Sequence, residues 1–142
     1  MLKSRAFTII EVLIVACAVL AMIMVLAPFV HMTKNYANRV YCANNLRQIS
    51  LGLHKYARDH KGVFPENLGI LYPNYVNNGI IFDCPGRKGI TDKSGPDYIY
   101  NAALTEKSAP DEIIVQDQEV NHPKSGRNIA RVGGSVEWVG AR

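Results

Sequence analysis

Glu11 is the residue whose position most needs a chemical explanation. It lies in an apolar run that begins at Phe7 and continues to Val30, and from Val12 onward this run contains no charged or strongly polar side chain. A carboxylate within lipid is costly in free energy, so a glutamate in a membrane segment usually has a function and a partner. We therefore treat Glu11 as a candidate functional residue.

The cysteines are the next reactive side chains. Cys17 lies inside the apolar run, whereas Cys42 and Cys84 lie in the more polar remainder of the chain. If the run crosses a membrane with its N-terminus in the cytoplasm, the remainder reaches an oxidising compartment, where a disulfide can persist.

The sequence contains no recognisable catalytic motif. Ser125-Gly126 lacks the context of a nucleophile elbow, and Gly-rich phosphate loops and zinc-type cysteine pairs are missing. His54 and His60 are six positions apart and point to different faces of a helix, so we expect solvated histidines rather than a metal site. We predict a protein that is not an enzyme and that needs no cofactor.

The apolar run has the length of a membrane-spanning element. As a helix it would cross a hydrocarbon core of about 30 Å. Lys3 and Arg5 precede the run and favour a cytoplasmic N-terminus.

Three interpretations of this run stay open beside the one that follows. Ala16-Cys17-Ala18 is similar to the cleavage site of a secretory signal peptide, although the apolar run continues well past it. Ile14-Val15-Ala16-Cys17 loosely fits a lipoprotein signal, although the residues after such a cysteine should become polar. A plain transmembrane anchor fits both the length and the flanking charge.

The stretch Phe-Thr-Ile-Ile-Glu-Val-Leu-Ile-Val from Phe7 resembles the N-terminal motif of type IV pilins and of the pseudopilins of type II secretion. The resemblance implies that a leader ends at Ala6 and that Phe7 becomes a methylated N-terminus with Glu11 as the fifth residue. Ala6 stands where the family usually has Gly, and Pro28 matches a proline that the family often has near the end of the apolar stretch.

A cut before Phe7 would give Glu11 a partner. The new α-amine would lie one helical turn from the Glu11 carboxylate, in the same chain or in a neighbouring copy. A pair of this kind would set the register between helices rather than add much stability. The resemblance implies such a contact in the assembled filament.

The helical pattern continues beyond the apolar run. One apolar stripe recurs at spacings of three or four residues: Met32, Tyr36, Val40, Ala43, Leu46, Ile49, Leu53 and Tyr56. Gly62 and Pro65 end the pattern, and Pro28 should bend or locally melt the helix. We predict a leader at 1–6, a transmembrane and assembly helix at 7–30, and an exported domain at 31–142. That domain would consist of a helix continuation, 31–60, and a sheet domain, 61–142.

Short strands are predicted in the last part of the chain. Asp97–Asn101 and Glu112–Gln116 are apolar or aromatic enough for strands, and Ile80–Phe82 is a third candidate after a possible short helix at Glu66–Tyr72. Asn128–Val132 and Ser135–Val139 should form a hairpin with Gly133-Gly134 as a two-residue turn, and Trp138 should be a core residue. The predicted fold is α+β and pilin-like, with a long N-terminal helix packed on a small antiparallel sheet.

A second resemblance covers the rest of the chain. Cys42-Ala43-Asn44-Asn45-Leu46-Arg47-Gln48-Ile49, Gly62-Val63-Phe64-Pro65 and Cys84-Pro85 are similar to a pseudopilin-like bacterial subgroup. Its usual ending is matched by His122, Asn128 and Val136-Glu137-Trp138, with Gly133 and Ser135 in place of the usual Asp and His. This resemblance implies a Cys42–Cys84 disulfide, for which the alternative is two unpaired thiols.

The resemblance also raises the question of calcium, because some pseudopilins bind it in a C-terminal loop. The carboxylates are densest at four positions: Asp111, Glu112, Asp117 and Glu119. Their spacing does not match an EF-hand loop. We expect a solvated acidic edge and keep calcium as the alternative.

These observations predict a structural subunit of a type II secretion pseudopilus or a type IV pilus-like filament. It would lie in the bacterial inner membrane as a single-pass protein with a cytoplasmic N-terminus. Its partners would be copies of itself, other pseudopilins, a prepilin peptidase, the assembly platform and membrane lipid.

The alternatives are an anchored binding protein that never polymerises, and a DNA-uptake pilin. For the latter, Lys124, Arg127 and Arg131 are the nearest basic cluster, but the net charge of +4 includes no dense basic block, so nucleic acid is not expected.

Overall fold

A long α-helix, α1 (Ile9–Asp59), forms the N-terminal part of the protein in the computed structural model, which describes residues 8–87, 97–122 and 125–141. Pro28 lies inside α1, and the helix continues on both sides of it. The helix ends where the sequence predicted, since the backbone N–H of Gly62 donates to the carbonyl of Ala57 at 2.7 Å. The proposed cleavage site, Ala6 and Phe7, lies outside the described residues.

The chain divides into two compact units, with the boundary between Lys34 and Asn35. In the first unit the described large apolar side chains of α1 are exposed, from Ile9 to Met32. The second unit contains the remainder of α1 and the described strands.

In the second unit, one face of α1 is buried from Cys42 onward. The side chains on this face recur every three or four residues: Cys42, Leu46, Ile49, Leu53 and Ala57. The predicted stripe began too early, because Tyr36 and Val40 are exposed. Leu46, Ile49 and Leu53 belong to both the predicted stripe and the buried face.

The strands form an antiparallel sheet with the order β1-β2-β3-β4. They are β1 (Tyr98–Tyr100), β2 (Ile113–Asp117), β3 (Gly126–Arg131) and β4 (Val136–Gly140). The register between β2 and β3 shifts between Ile113 and Val115. This bulge explains why the neighbours Ile114 and Val115 are both buried, although strand residues normally alternate between two faces.

The β3–β4 hairpin was predicted correctly, but its turn was not. Ala130 pairs with Val136, and the N–H of Arg131 donates to the carbonyl of Ser135 at 3.0 Å. Three residues, Val132 to Gly134, therefore form the loop. Gly134 has a φ of 83°, as expected for the left-handed residue that completes a three-residue hairpin loop.

The predicted strand at Ile80–Phe82 is wrong. Gly79–Phe82 is a 3₁₀ helix instead, because the Asn78 side chain accepts a hydrogen bond from the N–H of Ile80 at 3.0 Å and caps the turn. Ile81 is buried while Ile80 is 73% exposed, so only one side of the turn joins the core. The short helix expected at Glu66–Tyr72 is a 3₁₀ helix at Leu68–Leu71.

The core of the second unit lies between the buried face of α1 and the sheet. It joins the buried α1 residues to Leu71, Ile81 and Cys84, and to strand residues including Tyr98 and Val115. A long N-terminal helix packed on a small four-stranded antiparallel sheet confirms the predicted α+β, pilin-like architecture.

Candidate functional site

Two groups of residues are candidates for function, and the first is the apolar part of α1. Among the described residues, α1 contains a stretch that is long and apolar enough to span a membrane, a property that signal sequences share. Glu11 lies in the first turn of α1 and is exposed, as are the apolar residues that follow it. The structure thus places a carboxylate on an otherwise apolar helix surface.

The second group surrounds Cys42 and Cys84 and is called here the cysteine–histidine cluster: Cys42, Cys84, Asp117 and His122. Cys42 is on the buried face of α1, and Cys84 follows the 3₁₀ helix Gly79–Phe82. Both residues are thiols in this structure, both are buried, and their Sγ atoms are 2.7 Å apart. The two cysteines that the sequence singled out therefore meet.

An ion pair fixes the backbone at Cys84. Its N–H donates to Oδ2 of Asp97 at 2.6 Å, and Oδ1 of the same carboxylate accepts from Nη1 of Arg87 at 2.7 Å. Arg87 is buried, so its charge is well shielded from solvent. The backbone of Cys84 is thus held by a side chain that immediately precedes β1.

His122 and Asp117 complete the cluster. Nε2 of His122 lies 3.9 Å from Sγ of Cys84 and 3.4 Å from Oδ2 of Asp117. Asp117 ends β2, and its Oδ2 also accepts from the backbone N–H and the side-chain amide of Asn128, at 2.9 and 2.8 Å. A buried carboxylate thus orients the imidazole next to a thiol.

This geometry shifts the pKa values of the cluster. Burial alone would lower the pKa of His122, but hydrogen bonds to Asp117 and Cys84 outweigh burial and raise it from 6.5 to about 9. The hydrogen bond from Cys42, helped by His122, lowers the pKa of Cys84 to about 6 against the effect of burial. The pKa of Cys42 is raised, first by its hydrogen bond to Cys84 and then by burial. The thiolate of the pair therefore resides on Cys84.

The donor atoms of Cys42, Cys84 and His122 all lie within 4.8 Å of one another, and thiolate and imidazole are both ligands of zinc. Two thiolates on a tetrahedral zinc ion, each about 2.3 Å from the metal, lie about 3.8 Å apart. The sulfur atoms here are 2.7 Å apart and would have to separate by about 1 Å to accept zinc. The spacing suits a direct sulfur–sulfur contact better than a shared metal.

The four carboxylates named as calcium candidates do not come together. Asp117 is buried in the cluster, whereas Glu119 is 86% exposed and lies 3.4 Å from Arg127. Asp111 and Glu112 are exposed on the turn before β2. The alternation along β2, altered by its bulge, directs Asp117 inward, whereas the other three carboxylates are exposed.

Two of the three basic residues considered for DNA binding, Arg127 and Arg131, contact acidic side chains. Besides the contact of Arg127 with Glu119, Arg131 pairs with Glu137 on β4. Lys124 lies outside the described residues. The described part of this region thus offers paired charges rather than an open basic surface.

Trp138 was predicted as a core residue, and this is wrong. It is only half-buried: the guanidinium of Arg39 lies 4.1 Å from the centre of its ring, and His122 contacts it edge-on with ring centres 5.7 Å apart. β4 is an edge strand, so Trp138 covers the cluster from outside the core.

The other histidines make separate local contacts. Nδ1 of His54 is 3.4 Å from Oε1 of Glu106, and His60 stacks on Tyr56.

The sequence named both cysteines of the cluster, but it gave His122 only as a motif match and Asp117 only as a possible calcium ligand. Spacing along the chain could not join them, because β2 and the loop after it bring them together.

Comparison with known proteins gives one partial match. Residues 34–78 match the model of a family described as "Protein of unknown function (DUF1559)", which is typical of pilin-like proteins with prepilin motifs. The match includes Cys42 and the rest of the buried face of α1. No curated protein and no solved structure matches the chain.

Proposed function

We propose that this chain is a structural subunit of a pilin-like filament, either a type II secretion pseudopilus or a type IV pilus-like fibre. The mechanism is assembly of helices rather than catalysis. The observation that carries the proposal is the apolar, exposed first part of α1 with Glu11 in its first turn. The pilin-like α+β architecture and the partial family match support it.

The exposed apolar surface requires a covering. Leu13, Ile14, Leu20 and Phe29 are each more than half exposed, and together with their neighbours they exceed the apolar patches that monomeric soluble proteins expose. Lipid covers such a helix before assembly, and the helices of neighbouring copies cover it afterwards.

Glu11 sets the register in which the helices of neighbouring copies pack against each other. Among residues 8–87, 97–122 and 125–141 no cation contacts its carboxylate. Cleavage between Ala6 and Phe7, followed by methylation of Phe7, supplies a charged amine one turn away. An amine of one copy pairs with Glu11 of the next, because an unpaired carboxylate in the helix bundle is costly.

The route follows from these parts. A prepilin peptidase cuts the chain in the inner membrane, where the N-terminus is cytoplasmic and the second unit is exported. The assembly platform then lifts α1 into a bundle with copies of this chain and other pseudopilins.

Mass spectrometry of the N-terminus from the cells that produce the protein tests the processing step. We expect a chain that starts at methylated Phe7. An intact Met1 would support a plain anchor, and a cut near Cys17 would support a signal peptide or lipoprotein; each of these outcomes overturns the proposal.

Assembly is tested with Glu11→Gln, which removes the charge and keeps the shape. We expect normal membrane insertion but at least a tenfold loss of cross-linked multimers in those cells. Cys17→Ala, another exposed position on the same apolar helix, is the matched control and should assemble normally. If Glu11→Gln also assembled normally, the pairing role would be wrong.

A further inference from the structure

We propose that Cys42 and Cys84 form a disulfide in the exported protein and that His122 activates Cys84 for the bond-forming step. This inference rests on the cysteine–histidine cluster and is independent of filament assembly. It adds a covalent modification site and a positioning residue for its formation.

The cluster meets the geometric requirement for pairing. The two sulfur atoms are in direct contact, buried, and held by separate elements 42 positions apart in the chain. The Cys84 backbone is fixed by Asp97, and Cys42 is fixed by the packing of α1. The two sulfur atoms therefore need no rearrangement of the fold to reach each other.

The chemistry is thiol–disulfide exchange with a donor disulfide, either a small molecule or the active-site disulfide of an oxidoreductase. Cys42, while still accessible during folding, attacks the donor; its S–H proton is lost, one donor thiol leaves, and a mixed disulfide forms on Cys42. Cys84, whose proton already rests on Nε2 of His122, then attacks Sγ of Cys42 as the thiolate. The bond to the donor breaks, and the second donor thiolate leaves and takes up that proton. Two protein thiols are oxidised and one donor disulfide is reduced to two thiols.

The order of attack follows from the position of His122. Its Nε2 faces Cys84 at 3.9 Å, and Asp117 holds the ring at 3.4 Å, so the protonated imidazole stands beside the Cys84 thiolate. The lowered pKa of Cys84 suits it to the second attack, since the thiolate is the attacking species. His122 acts through Cys84 and is a positioning residue.

Other charged or titratable groups also face the pair. Asp97 accepts from the Cys84 backbone and is neutralised by Arg87. The Tyr98 hydroxyl, on β1, accepts from Asn45 near Cys42, and its pKa is raised, mainly by burial. Tyr98 stays protonated at neutral pH, and the Asp97–Arg87 pair carries no net charge. Apart from the hydrogen bond from Cys42, His122 beside Asp117 is therefore the group that favours the thiolate of Cys84.

The bond itself is tested on full-length protein purified in detergent from the cells that produce it. Free thiols are blocked with N-ethylmaleimide, and peptides are mapped by mass spectrometry without reduction. We expect a peptide that links Cys42 to Cys84. Two blocked thiols at these positions would overturn the proposal.

The role of His122 is tested by refolding the reduced, urea-unfolded full-length chain in detergent with glutathione disulfide, so that Cys42 is accessible when the donor is added. Quenched samples report the decay of the Cys42–glutathione species into the closed form. At pH 7 we expect His122→Gln to slow this decay about tenfold, because an unassisted thiol is only a few per cent thiolate at that pH. His54→Gln removes a histidine with a comparable carboxylate contact to Glu106, distant from the cysteines in the chain, and should leave the rate unchanged.

The wild-type pH profile keeps the test valid even if His122→Gln folds poorly. Because the His122 imidazolium favours the Cys84 thiolate, the closing rate should level off well below pH 9, whereas an ordinary thiol with a pKa of about 8.5 would still gain rate up to about pH 9. A wild-type rate that keeps rising to pH 9, or a His122→Gln rate equal to the wild type, would show that His122 has no such role.

Discussion

The side-chain amide of Asn128 donates a hydrogen bond to the backbone carbonyl of Arg39 at 3.1 Å, across 89 positions of sequence. The same amide donates to Oδ2 of Asp117 at 2.8 Å. One buried side chain on β3 thus links the sheet to α1 and holds the carboxylate that orients His122. Asn128 therefore contributes both to the packing of the sheet on α1 and to the cysteine–histidine cluster.

Replacing Asn128 with alanine should lower the free energy of unfolding by about 2–3 kcal/mol, because a buried carboxylate loses a donor and a helix carbonyl loses its partner. The measurement is urea unfolding of the full chain in detergent, followed by Trp138 fluorescence. Asn44→Ala, at an exposed position of α1, is the control and should change stability by less than about 0.5 kcal/mol. Equal effects of the two substitutions would contradict the structural role of Asn128.

Much of the fold could be predicted from the sequence because local patterns agree with it. The apolar run and the stop at Gly62 gave the bounds of α1, and β1 and β2 follow runs of apolar or aromatic residues. Ile80–Phe82 has the same local pattern, but the Asn78 cap makes it a 3₁₀ helix. A three-residue apolar run does not reveal such a cap.

The candidate site was predictable only in part. Cys42 and Cys84 could be named from the resemblance, but no spacing rule connects them to Asp117 and His122. Asp117 points inward because a bulge in β2 alters the alternation of that strand, and its partner Asn128 lies on the neighbouring strand. Such features arise from strand register, which a single sequence does not determine.

Two leucines on α1 test which face of the helix is buried. Leu46 is 0% exposed, whereas Leu51 is 58% exposed. Leu46→Ala should cost about 2–5 kcal/mol of unfolding free energy, because it removes buried methyl groups and leaves a cavity. Leu51→Ala should cost less than about 0.5 kcal/mol in the same urea titration. A larger loss for Leu51 than for Leu46 would mean that the buried face is assigned incorrectly.

Two glycines that pair across β3 and β4 test the close approach of these strands. Gly126 has a φ of 124°, and an added Cβ would lie 2.2 Å from the carbonyl oxygen of Val139, whereas a Cβ on Gly140 would meet nothing within 4 Å. Gly126→Ala should therefore lower the free energy of unfolding by about 3 kcal/mol or more, and with it the unfolding temperature. Gly140→Ala should be neutral or slightly stabilising, since alanine loses less backbone entropy on folding. The measurement is thermal unfolding of the two variants, monitored by circular dichroism. An equal loss of stability in both variants would contradict the close approach of β3 and β4 at Gly126.

The titration of His122 predicts how stability depends on pH when both cysteines are reduced. The folded state raises the pKa of His122 from 6.5 to about 9, so the stabilisation is fully present below pH 6.5 and is lost as the pH rises through about 9. The pKa of Cys84 is lowered from 9 to about 6, so its contribution has the opposite sign: it is present above pH 9 and lost as the pH falls through 6. In the wild type the two contributions partly cancel between these values.

Cys84→Ser removes one of the two contributions and should expose the other. Its free energy of unfolding should fall by about 2 kcal/mol between pH 6.5 and pH 9, because the protonated imidazole beside Asp117 is lost over that interval. The double variant Cys84→Ser with His122→Gln is the control and should show a flat dependence over the same interval. Urea titrations at closely spaced pH values provide the measurement. If the single variant were as flat as the double variant, the Asp117–His122 contact would not hold a proton in the folded protein.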